Sequence, residues 1–331
     1  MENANMLPDY KSLIHLLKGK KTYLQMHNFP DPDALGSAFG MQEFLKYHGV
    51  ETEICYDGAI EKMSGRNMID MLGIKVKHHT DCKEMCETDY IVTIDGQKYN
   101  SNFTDLIGDE VACIDHHPTF IDCEYHYKDV RIVGACASIV TWYYVASGTP
   151  MSKETATALL YGLRMDTESL NRGVTPFDIE MFGYLFDRAD NQLISILYRN
   201  TMEIDDLKAY GAAIKNVHVQ DCIGFAYIPF DCQDALVAMI SDFLLAIQEI
   251  DYTVIYAKRN GGYKFSVRCM REDVHAGKWT KSALEGIGDG GGHAIMAGGA
   301  IPKSMADSII EKKIESIVEE RFVRSKKHMI F

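Results

Sequence analysis

His27, Asp31 and Asp33 fall within the run His27-Asn28-Phe29-Pro30-Asp31-Pro32-Asp33-Ala34-Leu35-Gly36-Ser37. One imidazole and two carboxylates so close together offer borderline and hard donors to a divalent cation. Ile91-Val92-Thr93-Ile94-Asp95 ends an apolar run with a carboxylate, and Ala112-Cys113-Ile114-Asp115-His116-His117 ends another with an acid and two imidazoles. Tyr161-Gly162-Leu163-Arg164-Met165-Asp166 places one more aspartate at the end of a helical pattern. Two divalent ions ~3.5–4 Å apart, sharing a carboxylate, need about that many donors to clamp phosphate oxygens and activate water. A protonated imidazole beside them can assist departure of the leaving oxygen.

The pattern around these residues predicts strands over 23–28, 52–56, 90–95 and 111–115, and helices over 34–48, 137–147 and 153–165. Short Val/Ile-rich strands between amphipathic helices read as a doubly wound α/β domain with a mainly parallel sheet. Ligands collect outside the carboxyl ends of the strands in such folds. Asp31, Asp33, Asp95 and Asp115 all sit at or just after expected strand ends. Thr175-Pro176 starts a further helix, and the pattern stays mostly helical to about residue 219.

Beyond it, a strand over 222–229, a helix over 234–248, strands over 252–258 and 263–270 around Asn260-Gly261, a helical stretch over 275–285 and a helix over 303–321 read as a smaller mixed α/β domain. The expected organisation is a metal-binding catalytic domain over 1–190, a helical connector over 191–219 and a substrate-binding domain over 220–331. The tail, 324–331, is basic and then apolar; it reads either as a last strand or as a disordered end.

Composition narrows the class. The chain has 331 residues, 47% hydrophobic and 24% charged, enough for two domains of an ordinary globular kind. No apolar run approaches the ~18 residues of a membrane span, and residues 1–21 lack a signal-peptide core. Nine cysteines occur without a Cys-x-x-Cys, which fits reduced thiols and a cytoplasmic setting better than a disulfide framework. A net charge of −13 argues against a broad footprint on long duplex nucleic acid, but not against a small phosphate-bearing substrate beside bound cations. The 17 methionines read as core filling. His78-His79 lies in a lysine-flanked segment with no acid before it, and reads as surface.

The order of the motifs resembles the DHH family of phosphoesterases. His27 to Ser37 fits the family's His-x-x-x-Asp-x-Asp opening, Asp95 its lone aspartate, Asp115-His116-His117 its name-giving triplet and Asp166 its last acid. Pro32 stands where the family commonly has a small residue. The resemblance implies that His27, Asp31 and Asp95 hold one metal and that Asp33, Asp95, His116 and Asp166 hold a second, with Asp95 bridging. It implies His117 as the general acid, with Asp115 orienting the imidazoles. The mixed His/Asp set suits Mn²⁺.

Gly288-Asp289-Gly290-Gly291-Gly292-His293, then Ala297-Gly298-Gly299, follow Phe265-Ser266-Val267-Arg268. A glycine-rich turn beside a strand arginine resembles the DHHA1 domain, and implies that Arg268, Gly291, Gly292 and His293 bind the substrate's nucleotide end. Ala294 stands where that family often has a lysine. The DHHA1-like ending counts against the inorganic pyrophosphatase branch. The implied activity is two-metal hydrolysis of short nucleotides: short oligoribonucleotides, linear or cyclic dinucleotides, or 3′-phosphoadenosine 5′-phosphate. Competing readings are a single-strand exonuclease of the same superfamily, which usually carries an extra oligonucleotide-binding domain and a basic track, and a non-catalytic nucleotide-binding module. No membrane partner is expected; a homodimer is implied by the resemblance alone.

Overall fold

Alternating strands and helices in the first half build the sheet that carries the acids. The computed structural model describes residues 7–60, 62–199, 202–271, 273–308 and 314–327. The chain divides into two units, 1–201 and 202–331. The first unit runs α1 (Tyr10–Leu17), β1 (Thr22–Met26), α2 (Pro32–Tyr47), β2 (Thr52–Tyr56), α3 (Met63–Leu72), β3 (Val76–His78), a 3-10 turn (His79–Asp81), β4 (Tyr90–Ile94), β5 (Asp109–Asp115), β6 (Tyr127–Val130), α4 (Cys136–Ser147), α5 (Lys153–Asp166), α6 (Pro176–Phe186) and α7 (Asn191–Arg199). Its six strands are all parallel, in the order β3-β2-β1-β4-β5-β6. The order reverses direction between β1 and β4, so the loops after these strands part and leave a crevice. His27 to Asp31 follow β1 and Asp95 follows β4. The expected α/β class with a mainly parallel sheet is the observed one; β3 and β6 were not expected.

All five residues of β1 are buried, as a strand covered on both faces requires. Asp31 caps α2, accepting from the amides of Asp33 and Ala34 at 2.9 and 3.1 Å, with Pro32 at the first turn. Pro32 is preorganised there, and its missing N–H costs nothing. The helix buries Ala34, Leu35, Ala38, Met41, Phe44 and Leu45. It also packs closely on α5: a Cβ at Gly162 would lie 2.8 Å from the Pro32 carbonyl oxygen, and one at Gly36 would lie 2.6 Å from that of Ala158. Glycine at both places lets the backbones meet, and α5 then delivers Asp166 at its last turn.

The second unit runs α8 (Asp206–Asn216), β7 (His218–Gln220), β8 (Ile223–Asp231), α9 (Asp234–Leu245), β9 (Tyr252–Arg259), β10 (Gly262–Cys269), α10 (Ala276–Leu284), β11 (Asp289–Gly292), β12 (Met296–Ile301), α11 (Lys303–Ala306) and α12 (Ile314–Lys327). Its sheet is ordered β11-β12-β10-β9-β8-β7, with β8 and β9 parallel and the other pairs antiparallel. One core, centred on Phe265, Trp279 and Phe322, gathers residues of the sheet, α10 and α12; a second joins Ala209 and Ala213 of α8 to Val237 and Ile240 of α9.

Three further details differ from the sequence reading. The run expected as a helical connector is divided: α7 packs against α3 and α5, and α8 packs against β8 and α9. The glycine run is a strand, β11, rather than a turn, because its partner β12 is also glycine-rich and the bare backbones pair. In the tail, Arg324 to Lys327 form neither a strand nor a disordered end but the last turn of α12, which buries Phe322 and Ser325, and 328–331 lie outside the described residues. Among the described residues no helix is long and apolar enough to cross a membrane.

Candidate functional site

Asp95 is the centre of the first unit's crevice. It is 2% exposed, and its φ of 56° lies in a region that a residue with a side chain rarely adopts. Such a conformation persists only where the surroundings enforce it, and it clusters at functional sites. The Asp95 amide donates to the Ile114 carbonyl at 3.0 Å, which locks the turn against β5. The carboxylate lies between two imidazoles. His27 Nε2 is 3.6 Å from Asp95 Oδ2, and His116 Nε2 is 3.3 Å from Asp95 Oδ1.

The far nitrogen of each ring decides which atoms face the carboxylate. His27 Nδ1 lies 2.7 Å from the Asn28 carbonyl and His116 Nδ1 lies 3.1 Å from that of Val133. Nδ1 therefore donates in both, which leaves Nε2 as the atom that faces Asp95 and, in the neutral form of the ring, presents it a lone pair. Lone pairs facing lone pairs at that separation call for a cation between them. Asp95 Oδ1 is accordingly buried with no hydrogen-bond partner.

The other acids complete two groups whose donor atoms lie within 4.8 Å of one another: His27, Asp31 and Asp95 in one, and Asp33, His116 and Asp166 in the other. His116 Nε2 is also 3.4 Å from Asp166 Oδ2. Asp33 is 1% exposed and receives the first amides of α4, from Cys136 at 2.7 Å and Ala137 at 3.0 Å. Burial pushes the Asp33 carboxyl well above its ordinary pKa, reinforced by Asp95 and Asp166. Burial also lifts Asp166 to about 6, opposed by His116 and helped by Asp31 and Asp95. Burial works against a charged His116, but the carboxylates of Asp95, Asp33 and Asp166 outweigh it and raise its pKa, so that without a cation a proton takes its place. Asp31 moves down: burial opposes its charge, but His27, Lys62 and two amides prevail. So many acids crowd one buried spot that protons must be taken up unless cations are held there. The donor set and the orphaned Asp95 oxygen fit a divalent pair.

His117 stands at the rim with 41% of its side chain exposed. Its Nδ1 donates to Asp115 Oδ1 at 2.9 Å, and Asp115 Oδ2 accepts from Gln97 Nε2 at 2.6 Å. Burial disfavours the His117 cation, but the Asp115 bond outweighs it and the pKa rises. Asp115 itself is lowered: its complete burial opposes charge, and the bonds from His117 and Gln97 overcome that. Asp115 thus orients one imidazole, not both as the sequence suggested; His116 takes its orientation from Val133.

Every metal-ligating position expected from the sequence, together with Asp115 and His117, comes to this edge. Sequence reasoning missed Gln97 and Arg172, whose Nε and Nη2 donate to the Asp166 carbonyl at 3.2 and 2.6 Å and fix the end of α5. A lone glutamine after a Gly and an arginine past a helix end carry little signal.

In the second unit, Lys264, Ser266 and Arg268 alternate along β10 and face a cavity of about 720 Å³, also lined by Gly291, Gly292 and His293. All four residues expected to bind substrate therefore line one cavity. Arg268 Nε donates to Asp242 Oδ1 of α9 at 2.6 Å, and Arg268 Nη1 donates to Ser266 Oγ at 2.9 Å. Lys264, on the same face two residues before Ser266, places an ammonium at this cavity although Ala294 follows His293.

Residues 21–163 match the DHH family, N-terminal domain, and residues 215–320 match the DHHA1 domain. The chain is 28% identical over 310 residues to the uncharacterized protein MJ1633 of Methanocaldococcus jannaschii, covering 91% of this chain and 62% of that protein, so it spans under two thirds of that relative's length. It is 27% identical over 321 residues to the probable bifunctional oligoribonuclease and PAP phosphatase NrnA of Streptococcus mutans, covering 90% of this chain and 95% of that one. An exopolyphosphatase-related protein from Bacteroides fragilis superposes with a TM-score of 0.77 at 16% identity, over 98% of this chain and 99% of that one. RecJ from Thermus thermophilus, solved in complex with Mn²⁺, superposes with a TM-score of 0.54 at 14% identity, over 95% of this chain and 54% of that one.

Proposed function

The chain belongs to the DHH family of phosphoesterases with a DHHA1 domain, and we propose that its substrates are short nucleotides: oligoribonucleotides of a few residues, linear or cyclic dinucleotides, or 3′-phosphoadenosine 5′-phosphate. The observation that carries this reading is the pair of donor groups that flank the buried Asp95, in a chain whose second unit lines a cavity with glycines and Arg268. Likeness to an oligoribonuclease and PAP phosphatase points the same way.

In this reading His27, Asp31 and Asp95 hold one divalent ion, and Asp33, Asp95, His116 and Asp166 hold the other, with Mn²⁺ favoured by the His/Asp mixture. Bound there, such ions would neutralise phosphate charge and lower the pKa of water. The chain's own residues do the rest. Asp115, kept ionised, holds Nδ1 of His117 and leaves Nε2 open at the rim. Against burial, the Asp115 bond favours the protonated imidazole and raises its pKa, and the open Nε2 is the atom placed to donate a proton to the leaving oxygen. The Asn28 and Val133 carbonyls fix the tautomers of the ligating imidazoles. Arg268, Lys264 and the exposed backbone of Gly291 and Gly292 receive the anionic nucleotide at the second unit's cavity.

The test is a substrate panel with Mn²⁺: cyclic dinucleotides, their linear products, longer oligomers and the bisphosphate. Release of mononucleotide from a dinucleotide, lost in Asp95→Ala and His117→Ala, is the expected result. Equal behaviour of wild type and variants overturns the reading. Degradation of long single strands at rates matching a dimer replaces it with an exonuclease, and tight binding without turnover replaces it with a binding module.

A further inference from the structure

A separate set of donors lies at the same edge of the first sheet, on strands that take no part in the centre around Asp95. Asp57 follows β2, His78 ends β3, and His79 opens the 3-10 turn after it. The register of the two parallel strands sets Tyr56 beside His78. His78 Nε2 lies 3.4 Å from Asp57 Oδ1, and His79 Nε2 lies 3.3 Å from the same oxygen. The two rings are 4.7 Å apart, centroid to centroid. Three donor atoms from three side chains thus lie within 4.8 Å of one another.

The arrangement is built rather than casual. Thr104 Oγ1 donates to Asp57 Oδ2 at 2.5 Å, so that oxygen is taken and Oδ1 is the one turned to the imidazoles. The Thr104 hydroxyl also holds the Asp57 carboxyl below its ordinary pKa, with the Gly58 amide and both imidazoles helping against burial. The Tyr56 and His78 rings pack edge to face, with centroids 5.5 Å apart and planes at 88°. His78 Nδ1 lies 2.7 Å from Thr80 Oγ1, an acceptor for a proton on that nitrogen that leaves Nε2 its lone pair. The Thr80 amide, 3.3 Å from the same nitrogen, favours the opposite tautomer, so loading the site exchanges that weaker contact for a metal bond. At 3.3–3.4 Å, both imidazole–carboxylate contacts are longer than the ~2.7–2.9 Å of a charge-assisted hydrogen bond. A proton on one ring satisfies one contact, and protons on both set two like charges side by side. A dication answers both nitrogens and the oxygen at once.

We propose that Asp57, His78 and His79 form a cation site of their own, for a zinc-class divalent ion. Two imidazoles and one carboxylate are a three-donor set that Zn²⁺ takes with water in its remaining position, whereas Mn²⁺ favours sets richer in oxygen. The side chains keep 26–33% exposure, so solvent can fill that position. The site is tied to the neighbouring motif: Asn28 Nδ2 donates to Thr104 Oγ1 at 2.9 Å, and the Phe29 amide donates to the Asp57 carbonyl at 3.3 Å. A cation there pins the loop between His27 and Asp31 from outside. The inference does not rest on the proposed function, since none of its donors belongs to the centre around Asp95.

The test is zinc stoichiometry by equilibrium dialysis of the full chain, wild type against the His78→Gln/His79→Gln double variant, together with anomalous diffraction at the zinc edge from wild-type crystals. The expected result is one Zn²⁺ more per chain in the wild type, and an anomalous peak enclosed by Asp57, His78 and His79. Equal stoichiometry in two folded proteins overturns the proposal. So does a zinc-soaked map with density at Asp95 and none at Asp57, a result that needs no variant to fold.

Discussion

At the carboxyl edge of the first sheet, charge is buried: Asp33, Asp95 and Asp115 are 1%, 2% and 0% exposed, and they face imidazoles and one another. At the second unit's cavity, Gly291, Gly292 and His293 are exposed, and the guanidinium of Arg268 is already answered by Asp242, itself 55% exposed. The first arrangement is electrostatically incomplete without a ligand; the second is complete and open. Buried like charges cost several kcal/mol unless something neutralises them, whereas a half-exposed ion pair contributes ~0–1 kcal/mol. Changes in the first unit should therefore move both activity and stability by large amounts. Changes in the second should move recognition alone.

Asp95→Asn breaks the comparison most severely. It removes the charge of the shared carboxylate and replaces one of its two oxygens by an NH2 group, so Asp95 can no longer serve both donor groups. Turnover should fall by more than the ~10²–10⁴-fold that a general acid supplies. The rise in melting temperature on adding Mn²⁺ should vanish with it, because stabilisation by a ligand follows from its binding to the folded state. Retention of the Mn²⁺-dependent shift by the variant would show that Asp95 is not a ligand.

His117→Gln is expected next in size, a loss of ~10²–10⁴-fold in kcat with Mn²⁺ binding intact. A substrate with a nitrophenolate leaving group, which needs no proton, should recover most of the loss. The wild-type rate should decline as pH rises through the elevated pKa of His117, and the variant should lack that limb. Equal losses with good and poor leaving groups would assign His117 to binding.

The metal-free protein gives a third, smaller effect. Asp33 and Asp166 have raised pKa values, as do His116 and His117, so the folded chain holds more protons than the unfolded one. Stability then falls as pH rises. For Asp166, the move from 3.8 to about 6 corresponds to on the order of 3 kcal/mol, lost across that window at ~1.4 kcal/mol per unit. Asp31 and Asp115 act oppositely, but below the ordinary carboxylate range. Urea unfolding in EDTA should show the decline, and saturating Mn²⁺ should reverse its sign, since metal binding displaces those protons. A flat profile in EDTA would mean the acids are not frustrated.

The chemistry that is local in sequence was readable. His27 to Ser37 and Asp115 to His117 each span one turn, so the spacing alone brings the donors together. Asp95 was readable because β4 is a clean apolar run ending in an acid. Gln97 was not, because a single glutamine acquires its role from Asp115 on the neighbouring strand. The pair His78-His79 is at the surface, 29% and 33% exposed, and its contact with Asp57 comes from the pairing of β2 with β3, a relation no local pattern encodes. Asp57, like Asp95, is an acid just past a strand, but that strand, Thr52–Tyr56, is mixed rather than apolar. The strand β11 was hidden for a related reason: glycine is a poor strand former by itself, and pairing with β12 overrides that preference.

The smallest expected effect sharpens the contrast between the units. Asp242 holds Arg268 by a 2.6 Å contact at the surface of the second unit. Asp242→Ala should release the guanidinium for phosphate and lower KM for a nucleotide substrate several-fold, with kcat unchanged. Arg268→Ala should raise KM without altering Mn²⁺ affinity. Unfolding free energy should shift by no more than ~1 kcal/mol in either variant, as for other half-exposed pairs. If Asp242→Ala instead raises KM, the aspartate positions Arg268 for the ligand rather than competing with it. The second unit would then resemble the first in relying on a carboxylate to aim its working group.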